Sequence, residues 1–251
     1  NIFKSLILRF FLRGPVYTYH YNNCYLLEEK ISYYFSHYSA NFIQAESIIE
    51  QELKLTQYIC HKNSDKKIDK LYFDLNFDFK VDCKNKIDNW LNDNNLSTFI
   101  VLAPNTSRPE KKWDKNNWIN LITRLNKKNI VIIGSNLDSY TLEISNYVKH
   151  KEIIFIAPNF DLREIGYLLS KSKLVISHDS CIIHLANILN CNVLGLFGPT
   201  SAEWYGGNYN KKYKYLQAET QFIRHKNYYD KDCINQITVK EVSDKISNLL
   251  N

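Results

Sequence analysis

The sequence predicts an α/β fold whose second half is a parallel sheet covered by helices on both faces. Two observations carry that expectation. Short apolar runs rich in β-branched residues recur at Phe99–Ala103, Ile130–Gly134, Ile153–Ile156, Leu174–Ser177 and Val193–Phe197, the signature of strands buried on both sides. Stretches with helical periodicity lie between them, and strands alternating with helices at this spacing imply parallel βαβ units.

Taken in order, the first helix of this half is marked by Trp118, Leu121, Ile122 and Leu125, which follow the i, i+3, i+4, i+7 rule. Leu142 with Ile144–Val148 predicts a second helix and Leu162–Leu169 a third. Asp179-Ser180 opens a fourth, with His184 one turn in, and Val193–Phe197 runs into Gly198-Pro199-Thr200. The final helix, about Val239 to Leu250, places Val242, Ile246 and Leu249 on one face. This half, 98–251, is expected to be one complete Rossmann-like domain. The front of the chain is different. Gly14–Tyr21 predicts a strand, Leu27–Phe35 and Ala40–Leu55 two helices, and Leu71–Leu75 a second strand. Residues 1–82 are therefore expected to form a partial N-terminal α/β domain. Residues 83–97 read as a linker with a short helix around Trp90-Leu91, in a polar stretch rich in Asn, Asp and Lys. There are no internal repeats.

Composition narrows the function classes. A length of 251 residues suits one large domain or two small ones, and 45% hydrophobic with 23% charged residues is the balance of a globular protein. A net charge of +6 favours phosphate-bearing ligands or an anionic membrane surface. The lysines are scattered without a dense run, which argues against nucleic acid. Lys111-Lys112 and Lys211-Lys212 read as solvated surface. The cysteines Cys24, Cys60, Cys83, Cys181, Cys191 and Cys233 form no CxxC pair and lack metal-ligand spacing to histidine. They read as free thiols of a reducing compartment. No apolar run approaches the ~20 residues of a membrane span, and Ile2–Leu12 carries Lys4 and Arg9, as an amphipathic helix would. The chain contains no methionine and opens on Asn1, so either the initiator was removed or the chain is a fragment.

The chemistry is expected at the carboxyl ends of the strands, where open α/β sheets carry their ligand crevice. Two segments qualify. Ala103-Pro-Asn-Thr-Ser-Arg-Pro-Glu-Lys-Lys-Trp113 leaves the first strand of the regular half, with the hydroxyls of Thr106 and Ser107 and the compact cation of Lys111. Asp179-Ser180 leaves a later strand and opens a helix whose first backbone amides are free to hold an anion. Together they would cradle a diphosphate. The plainer reading makes the first segment a surface turn, Asp179 and Ser180 helix caps and His184 a satisfied helix histidine. Capping explains one of Asp179 and Ser180 but leaves His184 unexplained. No GxGxxG or P-loop occurs, which disfavours a dinucleotide or ATP hydrolysis.

Thr106-Ser107-Arg108-Pro109-Glu110-Lys111-Lys112-Trp113, then Asp179-Ser180-x-x-x-His184-Leu185-Ala186, then Phe197-Gly198-Pro199-Thr200 resemble the ADP-heptose:lipopolysaccharide heptosyltransferases of glycosyltransferase family 9, in the manner of heptosyltransferase I. The likeness covers about 101–200, and a weaker one runs from Lys4 to about Ile59. It implies a two-domain GT-B architecture and inverting transfer of heptose from ADP-heptose to the Kdo region of lipopolysaccharide, on the cytoplasmic face of the inner membrane. It implies that Thr106, Ser107, Lys111, Ser180, Cys181, Gly198, Pro199 and Thr200 belong to the donor site, and that Asp179 meets the sugar hydroxyls. Asp138 would lie near the adenosine ribose and His184 would act as support. No cofactor and no metal are implied. Cys181 stands where the family has glycine, so a Cβ crowds that turn. The family opens with a βαβ half-domain that carries a Gly-rich loop and an Asp thought to be the general base. Residues 1–13 already resemble the middle of that domain, so the base is expected in a missing N-terminal segment, and Glu28, Glu29 and Asp74 are not nominated. If nothing precedes Asn1, weak or absent catalysis is expected, since a general base is worth ~10²–10⁴ in rate. The alternatives are a transferase using another sugar donor and a non-catalytic nucleotide-sugar-binding remnant.

Overall fold

The computed structural model describes residues 17–20, 38–41, 78–125, 128–134, 138–148, 154–157, 159–207, 210–220 and 232–250. The chain divides into two compact units, Asn1–Phe73 with Ile223–Asn227 and Asp74–Phe222 with Tyr228–Asn251.

In the first unit, β1 (Tyr17–His20) and β2 (Tyr38–Asn41) pair in parallel, Tyr17 opposite Tyr38 and His20 opposite Asn41. Parallel pairing is the kind found in α/β domains. Ala40 and Asn41 end a strand here, where the periodicity suggests the start of a helix. The expected helix over Leu27–Phe35, the rest of that over Ala40–Leu55 and the strand over Leu71–Leu75 lie outside the described residues.

The second unit is a six-stranded sheet in which every neighbouring pair is parallel. Its strands are β3 (Ile100–Ala103), β4 (Ile130–Ile132), β5 (Ile154–Ile156), β6 (Leu174–His178), β7 (Val193–Phe197) and β8 (Tyr213–Gln217). The spatial order is β5-β4-β3-β6-β7-β8. Every residue of β3, β4, β6 and β7 is buried, while the edge strands β5 and β8 are partly exposed. Alternate residues feed two cores, as strand geometry demands. Ile100, Leu102, Ile130, Ile132, Leu174 and Ile176 meet Trp118, Leu121 and Ile122 of α2 (Lys115–Arg124), Ile144 and Val148 of α3 (Ser139–Val148), and Val242 and Ile246 of α7 (Val239–Leu250). Val101, Val131, Val175 and Val193 face the other way. They meet Ile87 and Leu91 of α1 (Val81–Asp93), Leu168 and Leu169 of α4 (Leu162–Lys171), and Ile183 and Ala186 of α5 (Cys181–Ile188). The stretch read as a linker thus carries a 13-residue helix whose apolar face closes one core. A short α6 (Ala202–Tyr205) follows β7.

From β3 the chain winds outward through β4 and β5, then returns to the other side of β3 as β6. Ala103 lies opposite Ser177, so the segments leaving β3 and β6 diverge side by side. This reversal is the topological switch point at which open α/β sheets hold ligands. Among the described residues no helix is long and apolar enough to cross a membrane.

Candidate functional site

The two segments singled out in the sequence meet at that switch point. Thr106 Oγ1 donates to the carbonyl oxygen of Asp179 at 3.1 Å. Lys111 Nζ donates to Asp179 Oδ2 at 2.5 Å, and Thr200 Oγ1 donates to the same oxygen at 2.8 Å. His184 Nε2 lies 3.9 Å from Asp179 Oδ1. The Lys111 and Asp179 side chains are only 15% and 8% exposed, so their attraction is less screened than that of a surface pair. Burial lowers the pKa of His184 against the pull of Asp179, with Lys111 adding to the fall. Its neutral form is therefore favoured.

Local sequence explains how each group is held. Pro109 opens a single 3₁₀ turn, Pro109–Lys111, whose end carries Lys111. Gly198 admits no side chain, because a Cβ there would lie 2.7 Å from that of Ile234. With Pro199 it returns the chain after β7 so that buried Thr200 reaches Asp179. Ser180 is the extended N-cap residue of α5, yet its hydroxyl makes no cap bond and sits 3.0 Å from Ser177 Oγ. The first amides of α5 consequently keep no side-chain partner. Capping therefore does not account for Asp179 and Ser180. Cys181, in the first turn of α5, is an exposed free thiol. Ser107 is exposed on its loop.

Asp138 immediately precedes α3 and makes its hydrogen bonds to that helix. Its carboxyl accepts from the Tyr140 amide at 3.1 Å and from the Thr141 hydroxyl, capping α3. Two residues that no sequence pattern marks, His178 and Tyr140, hold the motif residue Trp113. His178 Nε2 accepts from the Trp113 amide at 3.0 Å. The Tyr140 hydroxyl donates to the Trp113 carbonyl, and the Trp113 indole donates to the Ile237 carbonyl at 2.8 Å. A Lys-x-Trp spacing was the available signal, but no periodicity indicates what holds the tryptophan. Among the described residues no group of three or more His, Cys, Asp or Glu could hold a metal ion.

A buried cation, two hydroxyls and an uncapped helix start gather at the switch point of a Rossmann-type sheet, which defines this unit as an α/β domain with an anion-suited site. A family model described as glycosyltransferase family 9 (heptosyltransferase) matches residues 3–234, and the chain belongs to that family. Among solved structures it is similar to E. coli heptosyltransferase WaaC with ADP, at 18% identity and a TM-score of 0.62, covering 89% of this chain and 63% of that one. It is also similar to E. coli ADP-heptose lipopolysaccharide heptosyltransferase II, at 18% identity and TM-score 0.68, covering 100% and 74%. A family 9 glycosyl transferase from Veillonella parvula is 15% identical with TM-score 0.68, covering 88% and 65%. These likenesses are of fold, and the chain spans just under two thirds of the length of the WaaC and Veillonella structures. A search of curated proteins found no significant match.

Proposed function

We propose that the switch point between β3 and β6 binds the diphosphate of ADP-heptose, and that the protein transfers the heptose, with inversion, to the Kdo region of a lipopolysaccharide precursor. The observation that carries this reading is the convergence of Thr106, Lys111 and Thr200 on Asp179 beside the uncapped start of α5. When the donor enters, Lys111 turns from the Asp179 carboxylate to phosphate oxygens, and the α5 amides and nearby hydroxyls supply further donors. Asp179, released from Lys111, accepts from sugar hydroxyls. Cys181 borders the sugar, and Gly198 and Pro199 hold Thr200 in place. The cap on α3 leaves Asp138 lone pairs for a ribose hydroxyl, since each carboxylate oxygen accepts more than one hydrogen bond.

In the transfer, the acceptor oxygen bonds the anomeric carbon as the bond to the phosphate oxygen breaks, ADP departs and the acceptor proton passes to a base. Preorganised positive potential at the departing diphosphate is what this chain contributes. The site needs no metal in this reading, because Lys111 and the helix start supply that potential. The +6 net charge suits an anionic acceptor at the cytoplasmic face of the inner membrane, where the protein acts peripherally. The exposed thiol of Cys181 favours one second reading, a different sugar on the same nucleotide.

The test is a pair of titrations, ADP and ADP-heptose, against the wild type and Asp179→Asn. The variant is expected to keep its ADP affinity and lose at least tenfold for ADP-heptose relative to ADP. An equal loss for both ligands, or none for either, would refute the assignment of Asp179 to the sugar.

A further inference from the structure

Lysine is a compact charge on a flexible four-carbon stem. It serves as a preorganised phosphate partner only if its root is fixed. The root of Lys111 is fixed by what happens two residues later. Trp113 is fully buried, its ring edge-on to Trp118 at 5.3 Å. Its amide donates to His178 Nε2 at 3.0 Å, its carbonyl accepts from Tyr140, and its indole donates to Ile237 O at 2.8 Å. The next amide, of Asp114, donates to Asn235 Oδ1 at 2.8 Å. Three separate elements thus hold one residue by all of its polar groups. On its other side the 3₁₀ turn closes Lys111 N onto Arg108 O at 3.1 Å and Lys112 N onto Pro109 O at 3.0 Å, which leaves little slack in between.

His178 also immediately precedes Asp179. The end of β6 therefore grips the 104–113 loop at Trp113 through His178, and at Thr106 and Lys111 through Asp179. An imidazole that accepts from an amide at Nε2 carries its proton on Nδ1 and is neutral. Complete burial keeps it so, lowering its pKa to about 3.

We infer that His178 and Tyr140 are positioning residues for the donor diphosphate, holding Lys111 in place through the main chain of Trp113. The inference rests on the proposed donor site. The Tyr140 ring also lies under Lys112 Nζ, 4.9 Å from it. Tyr140→Phe keeps the ring and removes only the hydroxyl.

The experiment is a double-mutant cycle read by ADP titration, with adenosine as the ligand that lacks phosphates. Tyr140→Phe is expected to weaken ADP three- to tenfold, leave adenosine unchanged, and cause no further loss when Lys111 is already alanine. His178→Leu is expected to do the same, with His178→Gln, which restores an acceptor, recovering most of the affinity. A folded Tyr140→Phe protein with unaltered ADP affinity would overturn the inference. Equal weakening of ADP and adenosine, or an undiminished effect in the Lys111→Ala background, would show that the hydroxyl merely supports the fold and would overturn it too. A Lys111→Ala protein with undiminished ADP affinity overturns the donor site itself, and the inference with it.

Discussion

Two strand-to-helix turns at the same edge of the sheet begin their helices in opposite ways. After β5 the chain enters α4 through Asp161, which accepts from the amides of Arg163 and Glu164 while Glu164 reaches back to the Asp161 amide. That capping box satisfies the helix start from within. After β6 the chain enters α5 through His178, Asp179 and Ser180, and no side chain caps it. Two of these polar groups turn outward, His178 to Trp113 and Asp179 to Lys111 and Thr200, while Ser180 bonds back to Ser177 of β6. One turn spends its polar side chains on its own helix, while the other spends His178 and Asp179 on neighbouring loops and leaves the first amides of α5 uncapped.

The largest expected break in this comparison is in acid. His178 has a folded pKa of about 3 against 6.5 ordinarily, so the unfolded chain binds a proton that the folded chain refuses. Its contribution is fully present above pH 6.5 and is lost as pH falls from 6.5 toward 3, at about 1.4 kcal/mol per pH unit. Stability from denaturant unfolding is expected to drop by about 3 kcal/mol between pH 6.5 and 4 on this account, and His178→Gln should flatten that slope. A slope unchanged in the variant would show that other groups govern acid stability.

A smaller effect is expected at the self-contained turn. Asp161→Ala removes the capping box and should lower the melting temperature by about 2–4 °C, with ADP affinity untouched. Smallest of all, Ser180→Ala removes no cap and should move the melting temperature by no more than about 1 °C. A clear destabilisation by Ser180→Ala would erase the contrast between the two turns.

Much of the architecture was legible in the sequence because parallel strands buried on both faces leave unbroken β-branched runs. β8 was not, because Tyr213–Gln217 mixes Lys214 and Gln217 with two tyrosines and a leucine and is only partly buried, as an edge strand is. The stretch around Trp90-Leu91 reads as a linker with only a short helix, because its charges conceal the narrow apolar face of Ile87 and Leu91 that a 13-residue helix buries. Thr106, Lys111 and Asp179 stood out because their residue types and their places after two strands suit an anion. His178 and Tyr140 did not, since their partner Trp113 lies 65 and 27 residues away along the chain. Hydrogen bonds of that kind exist only once the sheet has set strand order.

The most direct test of the donor site is calorimetric titration of ADP into the wild type and Lys111→Ala. A loss of about 1–3 kcal/mol is expected in the variant, the scale of a hydrogen bond to a charged group, with circular dichroism showing both proteins folded at the titration temperature. Equal ADP affinity in the two proteins would contradict it.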